Sequence, residues 1–285
     1  MTKLFLKNNV FIGLSLILIV VLGLALLFIP KGELHLLLCD RHTPARDIFY
    51  RYYTTIAEWF PYVVCVGILL FGRIGDGIFA SSAMIGSALS TQILKHIINA
   101  PRPLTWFGIN MPDVELPLVE GVRMNSWFSF PSGHTTSFFA LAFVVSILFT
   151  QSQETRAKSQ ESRAKRLSTI VQITLFILAA IGGYSRIYLS QHFALDVFAG
   201  ILVGTLITIV CYTVFYRFDG QKWYNFRVFT KKWGVKCIFL QKNLVISKKS
   251  STFALGFEIM LKTRAFSSAG LEHLPYKQRV CGSNP

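Results

Sequence analysis

The chain reads as an all-α polytopic membrane protein, a bundle of six transmembrane helices. Three observations carry that reading. Of the 285 residues, 52% are hydrophobic and only 15% are charged, where a soluble domain carries about 25% charged residues. The mean hydropathy is +0.48. The apolar residues are gathered into long runs, which a water-soluble core does not require. The run Val10–Ile29 contains no charge and is long enough to cross a hydrocarbon layer of about 30 Å.

Six such spans follow in order. The first, Val10–Ile29, ends at Pro30. The second, Thr54–Phe71, is opened by Trp59, Tyr62 and neighbouring aromatics of an interface. The third, Gly77–Ile98, stops before Pro101. The fourth is His134–Thr150, the fifth Ser168–Tyr188 and the sixth Phe193–Tyr216. Lys3 and Lys7 precede the first run as in a signal peptide. The run exceeds the roughly 7–15 residues of an h-region and no A-x-A site follows it, so an uncleaved first helix is expected. Between the first two spans, Lys31–Tyr53 mixes four basic residues with Glu33, Asp40, Asp47 and many apolar side chains. It is expected to form a helix lying in the interface.

Basic residues cluster on one side of this topology. The 151–167 connection holds Arg156, Lys158, Arg163, Lys165 and Arg166. The segment 217–285 carries thirteen Lys or Arg against three Asp or Glu. Lysine and arginine mark the cytoplasmic side, which predicts cytoplasmic termini and an inner-membrane, multi-pass protein. The net charge of +15 then belongs to contact with anionic lipid, and no nucleic-acid partner is expected. Residues 1–216 form the expected membrane core and 217–285 a basic tail. In that tail Trp223, Phe226, Val228, Phe229 and Trp233 are placed on headgroups, and the end is expected to be partly disordered. The connection also repeats SQETRAK as SQESRAK, with Glu154–Lys158 and Glu161–Lys165 at i,i+4, which suits a solvated helical extension of the flanking spans. Five scattered cysteines (Cys39, Cys65, Cys211, Cys237, Cys281) offer neither a CxxC pair nor a disulfide framework.

Polar residues inside or at the ends of spans are costly, so those present are informative. Three groups stand out. Lys95, Arg102 and Pro103 form K-x6-R-P at the end of the third span. Pro131, Ser132, Gly133 and His134 form P-S-G-H at the start of the fourth. Ser185, Arg186, His192 and Asp196 form S-R-x5-H-x3-D across the junction of the fifth and sixth. The charge-derived topology places all three on the outer face. Lys95, Arg102 and Arg186 supply three cations, and arginine's planar fork suits two phosphate oxygens at once. Ser132 and Gly133 stand where a helix begins, with free amides and the positive end of its dipole. His192 and Asp196, four apart, share a helix face. A carboxylate beside a histidine fixes its tautomer, and His134 is then available as a general acid. Taken singly, each has a plainer reading: a snorkelling lysine, a turn before a helix, a structural His–Asp pair. Taken together, in order and on one side, they point to a phosphate ester.

These three motifs resemble the signatures of the type 2 phosphatidic acid phosphatase superfamily, and the resemblance extends over roughly Val10–Tyr216. It implies a six-helix membrane core with an outward site. It implies His192 as nucleophile, Asp196 as its orienting partner and His134 as the acid that protonates the leaving group, with Lys95, Arg102, Ser132, Gly133 and Arg186 holding phosphate. It further implies hydrolysis of a phosphate or pyrophosphate from a membrane lipid through a phosphohistidine. Candidate lipids are an envelope lipid such as undecaprenyl pyrophosphate, lipid A, phosphatidic acid or phosphatidylglycerophosphate. No metal or other cofactor is expected, since no carboxylate cluster suited to Mg²⁺ is visible. The outer loop Leu104–Phe130 is expected to shape the headgroup space, with Trp106, Phe107, Trp127 and Phe128 near lipid. The alternatives are a secondary transporter and a non-catalytic lipid-phosphate binder. Transporters place polar groups near the midplane between inverted repeats, which these span-end motifs do not match. A soluble haloperoxidase with a similar constellation is excluded by the long apolar runs.

Overall fold

A computed structural model describes residues 2–40, 42–156 and 161–228. Its elements are α1 (Thr2–Lys7), α2 (Asn9–Phe28), α3 (Lys31–Cys39), α4 (Pro44–Phe71), α5 (Ile74–Ile98), α6 (Pro103–Asn110), α7 (Gly133–Arg156), α8 (Glu161–Tyr188) and α9 (Ala194–Phe215), with a 3₁₀ turn at Tyr216–Phe218. No strand occurs among the described residues. Six helices are long and apolar enough to cross a membrane: α2, α4, α5 running on into α6, α7, α8 and α9. The expected six spans are therefore present, each within a few residues of its expected ends except at the start of α4, the end of α7 and the start of α8.

The central helix is α7. Two thirds of its apolar window (67%) is buried inside the protein, against 17% for α2. Phe139, Ala140, Phe143, Val144 and Ile147 form its core face. The outer helices instead turn Leu16, Val20, Leu24 and Leu27 of α2, or Leu206 and Val210 of α9, outward, as lipid-facing residues must. Helix α9 reaches α7 through glycine. A Cβ on Gly204 would stand 2.5 Å from the Thr136 carbonyl oxygen, and one on Gly200 2.8 Å from that of Ser132.

Two features differ from the sequence expectation. The stretch 44–53 is not part of a helix lying in the interface: it is the first ten residues of α4, continuous with the span. The reason is local. Thr43 accepts a hydrogen bond from the Arg46 amide (3.4 Å), Pro44 occupies the first turn and Asp47 supplies an acid at the positive end. These are start signals, and no breaker follows before Pro61. Only Lys31–Cys39 makes a short separate helix. The loop Leu104–Phe130, second, opens with α6, and Phe107 is not near lipid. It is buried, packed on His35 and Phe193, while Trp127 and Phe128 remain exposed.

The opposite end of the bundle is closed by residues 221–228. The Ile74 amide donates to the Phe226 carbonyl (2.8 Å) and the Gly75 amide to that of Tyr224 (2.9 Å), so two first-turn amides of α5 that have no intrahelical acceptor are satisfied. Tyr224 is fully buried, while Trp223, Phe226 and Val228 stay half-exposed. Helices α7 and α8 extend beyond their expected spans into the repeat. Lys158 and the tail from Phe229, including Trp233, Cys237 and Cys281, lie outside the described residues.

Candidate active site

The motif residues meet at one end of the bundle, where α5 stops, α7 and α9 start and α8 stops. Asn99 ends α5 in the left-handed conformation (φ 42°), its amide returning to the Lys95 carbonyl, a standard helix stop. The chain then turns, and the Arg102 amide donates to Ser126 O (2.9 Å) while Ser129 N donates to Ala100 O (3.0 Å). This pins the loop before α7 against the loop after α5. Lys95 Nζ donates to the Phe128 carbonyl (2.5 Å). Arg102 donates through Nε to Trp127 O (3.1 Å) and through Nη1 to Gln191 O (3.3 Å). Arg186 donates through Nη1 to Thr54 Oγ1 (2.6 Å), and its Nε is buried with no partner. Three largely buried cations (Lys95, Arg102 and Arg186) are thus fixed by neutral oxygens. No carboxylate within salt-bridge distance neutralises any of them among the described residues. Buried charge so arranged calls for an anion.

His192 lies between α8 and α9 and is fully buried. Its Nδ1 faces Asp196 Oδ2 at 3.3 Å. The same carboxylate oxygen accepts from the Phe193 amide (2.9 Å) and from Ser129 Oγ (2.5 Å), so its position is set from three directions. With Nδ1 engaged, Nε2 is the nitrogen left for the cavity that His192 lines. Burial pushes this imidazole well below the usual histidine range, and Asp196 offsets only part of the effect. A neutral ring with an available lone pair results.

His134 stands on the first turn of α7, and its Nε2 meets Glu58 Oε1 of α4 at 3.3 Å. The amides of Gly133 and His134 belong to the first turn and have no intrahelical acceptor. Ser132 is placed differently from the other motif residues. Its side chain is buried, its Oγ accepts from Thr135 Oγ1 (2.9 Å) and Thr135 N (3.4 Å), and its amide donates to the Asp196 carbonyl (2.9 Å). It starts α7 and ties it to α9.

One cavity of about 530 Å³ joins these groups. Lys95, Arg102, Gly133, His134, Arg186 and His192 line it, whereas Ser132 and Asp196 stand behind the lining. The structure adds residues that the motifs do not contain. Thr54 and Glu58 of α4 hold Arg186 and His134, Ser129 holds Asp196, and Arg51 and Arg123 line the cavity. Of the six α4 lining residues, five (51, 54, 55, 58 and 62) follow helical spacing, a signal available in the sequence once α4 is extended back to Pro44. Among the described residues no three of His, Cys, Asp and Glu converge as a ligand set.

An all-helical polytopic membrane protein with a cationic cavity and two histidines, each facing a carboxylate at 3.3 Å, defines a class. The chain belongs to the PAP2 superfamily, whose family model matches residues 76–219. That range contains all eleven motif residues and excludes Arg51, Thr54 and Glu58. The chain is similar to Dolichyldiphosphatase 1 of Dictyostelium discoideum, 25% identical over 194 residues, covering 67% of this chain and 72% of that one. It is similar to Lipid A 4'-phosphatase of Porphyromonas gingivalis, 26% identical over 186 residues, covering 63% and 70%. Among solved structures, the transmembrane PAP2-type phosphatidylglycerolphosphate phosphatase of Bacillus subtilis shares the fold, with a TM-score of 0.50 at 20% identity, over 74% of this chain and 96% of that one.

Proposed function

We propose that this protein is a lipid phosphatase that works through a phosphohistidine on His192. The observation that carries the reading is the position of that side chain. Its Nδ1 is held at 3.3 Å by Asp196, and the ring lines the cavity that Lys95, Arg102 and Arg186 also line.

In this reading Lys95, Arg102, Arg186 and the Gly133 and His134 amides hold the phosphate oxygens, and the cations meet charge on them as the bond to phosphorus loosens. His192 Nε2 attacks phosphorus in line while Asp196 stabilises the imidazolium that forms. His134 donates a proton to the departing oxygen and then takes one from the water that hydrolyses the phosphoenzyme. Glu58 positions the His134 ring. Ser132 acts indirectly, by fixing the start of α7. These steps assign no role to a metal ion. The substrate is an envelope lipid phosphate or pyrophosphate, a class supported by the relatives' names.

The basic 151–167 connection and the basic C-terminal segment support a cytoplasmic assignment for the end opposite the site. The site then faces the extracytoplasmic side of the inner membrane.

The test is phosphate release by the purified full chain, in detergent, from a panel of these lipids in the presence of EDTA. Release is expected with EDTA present, and vanadate should inhibit. His192→Ala should abolish labelling of the protein from a ³²P-lipid. A chain that releases no phosphate, or that needs added Mg²⁺ after chelation, would contradict the proposal.

A further inference from the structure

The cavity holds more positive charge than one phosphate group needs. Five cations line it, namely Arg51, Lys95, Arg102, Arg123 and Arg186, and Glu58 is the one carboxylate among the lining residues. A phosphate monoester brings about −1.5 to −2 charges at pH 7, which the inner set of Lys95, Arg102 and Arg186 already meets. Arg51 and Arg123 are left over, and both are exposed, unlike the inner three.

Their placement is built. Arg51 lies on the cavity-facing stripe of α4, three residues before the Thr54 that holds Arg186. It therefore stands ~4.5 Å further along the helix axis. Its Nη1 donates to the Glu120 carbonyl (3.1 Å). Gly121, at φ +73°, lets the loop close on it, since a Cβ there would stand 2.6 Å from the guanidinium. Arg123 belongs to the same loop. Its carbonyl accepts from Gln191 Nε2 (3.0 Å), which ties the loop to the residue beside His192. Arg51 is thus held through its guanidinium and Arg123 through its backbone, and both line the cavity from segments separate from the motif cations.

We infer that Arg51 and Arg123 form a second phosphate subsite, so that the preferred substrate is a lipid diphosphate. The inference rests on the phosphatase reading above. The terminal phosphate occupies the inner set, where His192 Nε2 forms the new bond to phosphorus. The P–O bond to the bridging oxygen breaks, and its electron pair leaves with the lipid monophosphate, whose charge Arg51 and Arg123 hold. Water then hydrolyses the phosphohistidine, so one water is consumed and one inorganic phosphate released per turnover. The leaving group is a phosphate, far more acidic than a lipid alcohol. The reaction consequently leans less on proton donation by His134.

The test compares farnesyl diphosphate with farnesyl monophosphate, two probes with one lipid chain, on the purified full chain in detergent. We expect kcat/KM at least about tenfold higher for the diphosphate, with farnesyl monophosphate accumulating as first product. Arg51→Gln and Arg123→Gln should each lower that ratio about tenfold, mostly by reducing diphosphate turnover. The monophosphate rate in the same variants reports whether they fold. Equal use of the two probes by the native chain would overturn the inference and leave the phosphatase reading standing, as would variants that lose both activities in proportion. Failure of the native chain to hydrolyse either probe would remove the phosphatase reading itself, and the inference with it.

Discussion

Glu58 shows how a single side chain can complete a site from outside its motifs. Its carboxylate reaches His134 Nε2 at 3.3 Å from a helix that the family match does not include. A carboxylate there orients the ring that, in the proposed mechanism, gives a proton to the leaving oxygen. Glu58→Gln keeps the shape and removes the charge. It should lower kcat on a lipid monophosphate about tenfold while changing KM little. Loss should be smaller on p-nitrophenyl phosphate, whose leaving group needs little protonation. General acid–base help is typically worth about 10²–10⁴-fold, so His134→Ala should cost more than Glu58→Gln on the lipid, with the same ordering between substrates. Equal losses on both substrates would assign Glu58 to binding or folding. The eleven motif positions are legible in the sequence because each is a polar group, or a turn, at the end of an apolar run, where such residues need a reason. Glu58, Thr54 and Arg51 are not legible in the same way. Charges are frequent in 44–58, and only the continuity of α4 with its span turns them toward the cavity.

At the scale of elements, α3 and α9 support the surroundings of His192 without lining the cavity. His35 of α3 is fully buried, its rings of contact being Phe107 and Phe193, with Nε2 3.4 Å from Ser190 Oγ. Burial pushes its imidazole down to about 4, with Asp196 pulling it up and Lys31 pushing it further down. The folded value is thus below the unfolded one of about 6.5. As pH falls below about 6.5 the unfolded chain takes up a proton that the folded chain refuses, and stability declines until the pH reaches about 4. The melting temperature in detergent should therefore fall between pH 7 and pH 5. His35→Gln should make that fall shallower, and parallel curves for the two proteins would refute the assignment. Helix α9 depends on its glycines instead. Gly204→Ala would press a methyl on the Thr136 carbonyl, forcing α7 and α9 apart. A cost of about 1–3 kcal/mol is expected, read as a lower melting temperature. Activity should fall too, since the Ser132 amide at the start of α7 donates to the Asp196 carbonyl on α9. The helix count and approximate ends follow from hydropathy alone. Which faces approach closely does not, because an apolar run that is hydrophobic all round carries no directional signal.

In the whole molecule, function and closure are divided between two ends. The motif residues gather at one end. At the other, Asn8 accepts from Ser146 Oγ (2.8 Å), Gln172 Nε2 donates to the Lys7 carbonyl (2.9 Å) and residues 221–228 return to α5. The N-terminal helix and the last described residues thus share the end away from the site, the arrangement that an even number of spans requires. The docking of 221–228 is not visible in the sequence, where Trp223, Phe226 and Val228 read as headgroup-facing. The residue that makes the contact, Tyr224, has no periodic partner to announce it. It is fully buried against Gly75, where a Cβ would meet its ring at 2.2 Å. Beside it Arg73 binds Asp76 (2.7 Å), Asp219 (3.0 Å) and Asn225 (3.1 Å). This division gives a prediction with two readouts. Tyr224→Ala should leave a cavity worth about 3–5 kcal/mol and weaken the docking of 221–228 on α5, so the purified protein should melt markedly lower. At a temperature where the variant is still folded, kcat/KM should stay within about twofold of native, because no catalytic group is held by that end. An unchanged melting temperature would mean that the segment does not dock in the membrane protein. A lowered kcat/KM in fully folded variant would mean that the ends are coupled through α5, whose first turn Tyr224 caps and whose last turn carries Lys95.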